Sequence, residues 1–213
     1  EHEKLLIKRL EAEGKRVALL TGRVDEAGYT STIAAMKQGY DYIHQASLQN
    51  EELRGSADLL ERIEQPSALG AWSYIPIECK LSSHSKPIYL VQACAYCELL
   101  DPILGERPKH FKLYLGGQKF LEEPDGYRIN DFWCWYQQLR GRFREFLTAF
   151  DADRQPKHAP GDHGHWGMFI EEELEKERDL ILVAGMRQSQ RNKLRAAGVT
   201  TIDALAALSV DHP

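Results

Sequence analysis

The sequence predicts an α/β fold, a mixed β-sheet flanked by helices with a small helical appendage at its C-terminal end. Three observations predict it. Apolar runs of strand length lie at Tyr40–Leu48, Leu53–Ile63 and Ser73–Leu81, with a further one at His110–Leu115. Helical patterns precede and separate these runs, notably over residues 1–14 and Pro87–Leu104. Beyond residue 151 only helical patterns remain. The chain of 213 residues is long enough for one sizeable core, or one core plus an appendage.

Each element has a local cause. Residues 1–14 place Leu5, Leu6 and Leu10 on one side and stop at Gly14, a glycine-terminated amphipathic helix. Val17–Leu20 is a short strand candidate. Thr30–Gln38 reads as a helix capped by Thr30 or Ser31 and ended by Gly39. Tyr40–Leu48 and Leu53–Ile63 are strands joined by the polar turn Gln49-Asn50-Glu51. Residues 65–70 form a loop before the strand Ser73–Leu81. Pro87–Leu104 is a long helix with Gly105 just past its end. His110–Leu115 is a strand closed by Gly116-Gly117, and Tyr127–Phe150 reads as a helix rich in aromatics and then in arginine. Residues 151–167 are loop-like. Helical patterns resume at Met168–Arg178, Gln188–Ala197 and Ile202–Leu208.

Composition bounds the function classes. A hydrophobic fraction of 43% and a charged fraction of 28% are ordinary for a soluble globular protein. A net charge of -5 argues against a generally basic surface but leaves room for a basic groove. No run is long enough to span a bilayer and no signal peptide is visible, so no membrane partner is expected. Four cysteines, at 79, 94, 97 and 134, fit a reducing cytoplasm. Cys94 and Cys97 fall inside the helix Pro87–Leu104, where two small buried residues are preferred over a redox or zinc motif. The chain opens at Glu1, already inside a helical pattern, and is expected to be a piece of something longer.

The chemistry concentrates between Asp58 and Tyr96. Residues two apart on a strand share a face, so Glu78 and Lys80 point to one side and Cys79 to the other. Gln92 and Tyr96 are four apart on a helix and share a face. Phosphodiester hydrolysis needs a hydroxide at neutral pH, neutralised phosphate charge and a stabilised leaving oxygen, which Mg2+ or Mn2+ held by carboxylates provides. Asp58 and Glu78 are the candidate ligands, with the Cys79 backbone carbonyl as a further oxygen. Lys80 is the candidate catalytic amine, and Gln92 and Tyr96 face the site from the helix. Each piece alone has an ordinary explanation: a strand-end Asp, a surface Glu–Lys pair, helix packing. The joint pattern is what points to a metal-dependent nuclease. Arg140, Arg142 and Arg144 offer a phosphate-tracking or base-stacking set, against a solvated helix end that carries at least equal weight.

These residues resemble the PD-(D/E)xK nuclease superfamily, in particular its RecB-like branch, whose members are often found alone or beside superfamily 1 helicases. The resemblance rests on Gly55-Ser-Ala-Asp58-Leu-Leu, Pro66-Ser-x-Leu-Gly-x-Trp72-Ser-Tyr, Glu78-Cys-Lys80-Leu, Gln92-Ala-Cys-Ala-Tyr96 and Leu182-Val-Ala-Gly185, and covers nearly the whole chain. It implies a restriction-endonuclease-like sheet and His2, on the first helix, as a further metal ligand. It also implies three segments: a nuclease core over 1–150, a loop and helix region over 151–186 matching the family's cysteine-cluster segment, and a tail over 187–213 resembling half of a helix-hairpin-helix element. That tail is weighed equally against a small helical cap. Many relatives hold an iron–sulfur cluster in the middle segment. Here the comparable stretch, Pro160-Gly161-Asp-His-Gly164-His-Trp166, has no cysteine, so no cluster is expected. His158, His163 and His165 lie close in sequence, but a polar loop is preferred over a zinc site.

The expected function is a Mg2+- or Mn2+-dependent deoxyribonuclease acting in repair, recombination or defence, with a fused or partner helicase implied by the resemblance. The competing readings are a nuclease-like DNA-binding or scaffolding module, and a nuclease acting on RNA.

Overall fold

A computed structural model describes residues 2–116, 125–150 and 163–208. They fall into two compact units, Glu1–Ala149 and Phe150–Pro213.

The first unit is a six-stranded mixed sheet flanked by helices, its strands ordered in space as in the chain. It opens with helix α1 (His2–Ala12), strand β1 (Val17–Leu19) and helix α2 (Glu26–Lys37). Strands β2 (Tyr42–Gln49), β3 (Arg54–Ile63) and β4 (Ser73–Lys80) form an antiparallel meander. Helix α3 (Pro87–Leu104) then crosses over to strand β5 (His110–Leu115), parallel to β4. Strand β6 (Asp125–Arg128) pairs antiparallel with β5, and helix α4 (Trp133–Thr148) closes the unit. β1 and β2 are likewise parallel, joined through α2.

Two of these elements differ from the sequence expectation. α2 begins four residues early, because the Asp25 side chain accepts from the Gly28 N–H at 2.9 Å and makes Asp25 the N-cap. The hydroxyls of Thr30, Ser31 and Thr32 instead bond back to carbonyls one turn earlier. The helix expected over Tyr127–Phe150 begins only at Trp133, and Tyr127 belongs to the sixth strand. Its ring stacks on Phe111 of β5, centroids 5.4 Å apart, a contact made across the sheet that local pattern does not contain.

Apolar layers cover both faces of the sheet. Under α2 and α3, Met36, Ile43, Leu48, Leu60, Tyr74, Leu99 and Leu100 form the main core. α1 seats Leu6 and Leu10 on Leu59, Ile77 and Tyr114 of the other face. β4 is therefore buried on both faces along its first six residues, and reads as a continuous apolar run rather than an alternating one. A third cluster, with Cys94, Cys97, Phe111, Ile129 and Tyr136, packs α3 against β5 and α4.

The second unit holds helices α5 (Gly167–Lys176), α6 (Gln188–Ala196) and α7 (Ile202–Ala206). Asp179 is its hub: the carboxylate takes a bidentate pair from Arg191 at 2.6 and 2.6 Å, a bond from Arg195 at 2.7 Å and the Ile181 N–H at 2.9 Å. Among the described residues no helix is long and apolar enough to cross a membrane.

Candidate active site

The site lies where β4 parts from β3. Their ladder runs from Ile63–Ser73 to Leu59–Ile77 and stops there, while β4 stays paired with β5 through Glu78, Cys79 and Lys80. The next backbone donor on β4, the Cys79 N–H, is taken by the Asp58 carboxylate at 2.8 Å. A side chain thus replaces the lost ladder bond and holds Asp58 at the fork.

Glu78 and Lys80 share the other side of that fork. Lys80 Nζ donates to Glu78 Oε2 at 2.7 Å and lies 3.9 Å from Asp58 Oδ2. Glu78 is 0% exposed, and its second oxygen, Oε1, has no hydrogen-bond partner. Burial, then the Asp58 charge, raises the Glu78 carboxyl to about 7. Asp58 is also raised, chiefly by burial. For Lys80 burial opposes the charge, but the Glu78 hydrogen bond and the two carboxylates outweigh it and hold the amine above its ordinary value. The half-buried amine keeps some water, whereas Glu78 keeps none.

α3 brings Tyr89, Gln92 and Tyr96 beside this fork. Pro87 starts the helix, where a missing N–H costs nothing. Gln92 Nε2 donates to the Tyr96 hydroxyl at 3.1 Å, and that hydroxyl donates to the Ser56 carbonyl of β3 at 2.8 Å. Gly55 makes room, since a Cβ there would meet the Tyr96 ring at 3.0 Å. Burial pushes the Tyr96 hydroxyl up to about 12, so it stays a donor. The Lys80 ammonium lies over the Tyr89 ring, 5.5 Å from its centroid.

The structure thus brings Asp58, Glu78, Lys80, Gln92 and Tyr96 together. The His2 side chain lies outside the described residues, as does His158 of the histidine-rich segment. Two of the three α4 arginines converge on one carboxylate. Arg140 is buried and pairs with Glu52 at 2.5 Å and Glu98 at 3.6 Å, and Arg144 donates twice to Glu52. Arg142, two residues along the helix from each, is exposed.

Three residues of the site carried little or no sequence signal. Glu3 of α1 takes His44 at 3.2 Å and Gln45 at 3.0 Å, and its charge helps to raise Asp58 and Cys79. Its one visible cue is its place beside His2. Tyr89 stands three residues before Gln92, which places it on the same helix face. Gln45 has no cue, because its role depends on a backbone conformation.

The donor set suits a hard divalent cation. Two carboxylates converge, one of them with a buried oxygen lacking a donor, and the Cys79 carbonyl is on the same strand end. Among the described residues no group of three His, Cys, Asp or Glu side chains forms a ready-made metal cage, so a cation here would keep waters or substrate oxygens as ligands. No model of a known protein family matches the chain, and no curated protein matches it.

Proposed function

We propose that this chain is a divalent-cation-dependent nuclease domain that hydrolyses DNA phosphodiester bonds, with a restriction-endonuclease-like core of the RecB-like PD-(D/E)xK type. The observation that carries the proposal is the fork itself. It gathers two carboxylates and an amine at the end of a core strand, with one carboxylate fully buried and one of its oxygens unpaired. A purely structural strand end has no need of that costly arrangement. The succession of α1, Asp58 on β3, Glu78 and Lys80 on β4, and Gln92 and Tyr96 on α3 also supports the family reading.

Asp58, Glu78 and the Cys79 carbonyl would hold Mg2+ or Mn2+, which supplies charge neutralisation at the phosphate and activation of the attacking water. The chain's own residues do the rest. Glu78 must be ionised to act as a ligand. Lys80, held by Glu78 and the Tyr89 ring, presents its ammonium to the negative charge that grows on the phosphoryl oxygens. Gln92 and Tyr96 fix α3 to β3 and line the path of the nucleic-acid backbone. Arg142, exposed on α4, is the arginine for phosphate contact, whereas Arg140 and Arg144 are engaged by Glu52. A helicase, fused or separate, is the proposed source of the DNA strand.

The test is cleavage of labelled single- and double-stranded DNA with Mg2+ or Mn2+, beside EDTA, Glu78→Gln and Lys80→Ala. Cutting that needs the metal and disappears in both variants is expected. Unchanged cutting in either variant, or none by the native protein with DNA bound, would overturn the assignment.

A further inference from the structure

Gln45 adopts φ +54° in the middle of a core strand, and with Arg178 it is one of two non-glycine residues in the left-handed region among those described. A residue with a Cβ adopts that conformation only when its surroundings impose it. The register places Gln45 opposite Asp58: the neighbouring pairs are His44–Leu59 on one side and Ala46–Ala57 on the other. Alternation along both strands changes phase at this point. Ile43, Ala46 and Leu48 share one core layer, and so do Leu60 and Ala57, although Ala46 stands three positions from Ile43 and Ala57 three from Leu60, an odd step that strict alternation would send to the opposite face. Strict alternation would set Asp58 on the Leu60 face, inside the apolar layer under α2 and α3. The paired change of phase removes it from that layer.

Both ends of the Gln45 side-chain amide are hydrogen-bonded. Its amide nitrogen donates to Glu3 of α1 at 3.0 Å, and its oxygen accepts from the Ser56 hydroxyl of β3 at 3.1 Å. Gly22, itself at φ +66°, lies against it, and a Cβ there would meet Gln45 Oε1 at 2.8 Å.

We propose that Gln45 is a positioning residue: its left-handed backbone turns β2 and β3 over together at the Gln45–Asp58 pair and so delivers the Asp58 carboxylate to β4, while its amide ties α1 to β3. Its consequence for cleavage rests on the nuclease reading; its consequence for geometry does not.

The experiment compares the native protein with Gln45→Gly, which accepts φ +54° but lacks the amide, and Gln45→Val, whose branched Cβ resists it. Hydrogen exchange at the Cys79 amide, the donor to Asp58, is read beside exchange at Ile43 and Leu60 and beside kcat and KM on DNA. In Gln45→Val, protection is expected to fall at Cys79 while Ile43 and Leu60 keep theirs, and kcat to fall about 100-fold with KM little changed. Gln45→Gly is expected to keep Cys79 protected and to lose far less activity. Unchanged Cys79 protection in Gln45→Val, or a loss spread evenly over β2 and β3, overturns the proposal; should Gln45→Val fail to fold, Cys79 exposure in Gln45→Gly equally overturns it. If the native protein does not cleave, a local loss at Cys79 still supports the positioning role and the nuclease reading alone fails.

Discussion

At the residue scale, burial rather than charge pairing governs Glu78. Its folded carboxyl lies near 7, above the ordinary 4.5, so between those values the folded state binds more protons than the unfolded one. Stability of the metal-free protein is therefore expected to fall as pH rises through that window, by at most about 3 kcal/mol. Glu78→Gln cannot ionise and should remove most of that slope while abolishing cleavage. Denaturant melts at pH 5 and pH 8 in chelator read this directly, and an equal slope in the variant would count against it. Tyr89 is the second case. The ring beneath Lys80 contributes about 0.5–2 kcal/mol of attraction, so Tyr89→Leu should slow cleavage by about two- to thirtyfold. Tyr89→Phe keeps the π-face and should cleave at the native rate, which separates ring from hydroxyl.

At the element scale, the segment between β4 and α3 is pinned by one glycine. The Gly116 N–H donates to the Lys80 and Ser82 carbonyls, and a Cβ at Gly116 would stand 2.1 Å from the Leu81 carbonyl oxygen. Backbone has to move to admit it. Gly116→Ala should therefore displace the strand end that carries Lys80 and reduce kcat by about tenfold or more, with KM changed less; native kinetics in that variant would show the segment to be compliant. α4 gives the opposite lesson about its arginines. Arg140 is 8% exposed and bridges Glu52 to Glu98, so Arg140→Met should cost about 1–3 kcal/mol in a thermal melt. DNA affinity should follow Arg142→Ala instead, falling with a shallower salt dependence.

At the scale of the whole molecule, cation binding at the proposed site would be linked to folding. The acidic site is most costly to the metal-free protein when both carboxylates are charged, so Mn2+ should raise the melting temperature more at pH 8 than at pH 6. Equal shifts at both pH values would mean that Glu78 is not a ligand. On an acidic chain, at net charge -5, the proposed DNA contact would be local rather than general.

The sequence by itself determined the strands β2 to β5, the helix α3 and the order of Asp58, Glu78, Lys80, Gln92 and Tyr96 along them, because hydrophobic period, proline and glycine act over a few residues. Tertiary structure decided the rest. Tyr127 became a strand residue because Phe111 offered a stacking partner from β5. Arg140 and Arg144 were drawn to Glu52, nearly ninety positions away in the chain for Arg140. Gln45 took a left-handed backbone because Glu3, Ser56 and Gly22 close around it. Each of these outcomes depends on partners distant in sequence, whose meeting is set by the packing of the whole sheet and not by any local period.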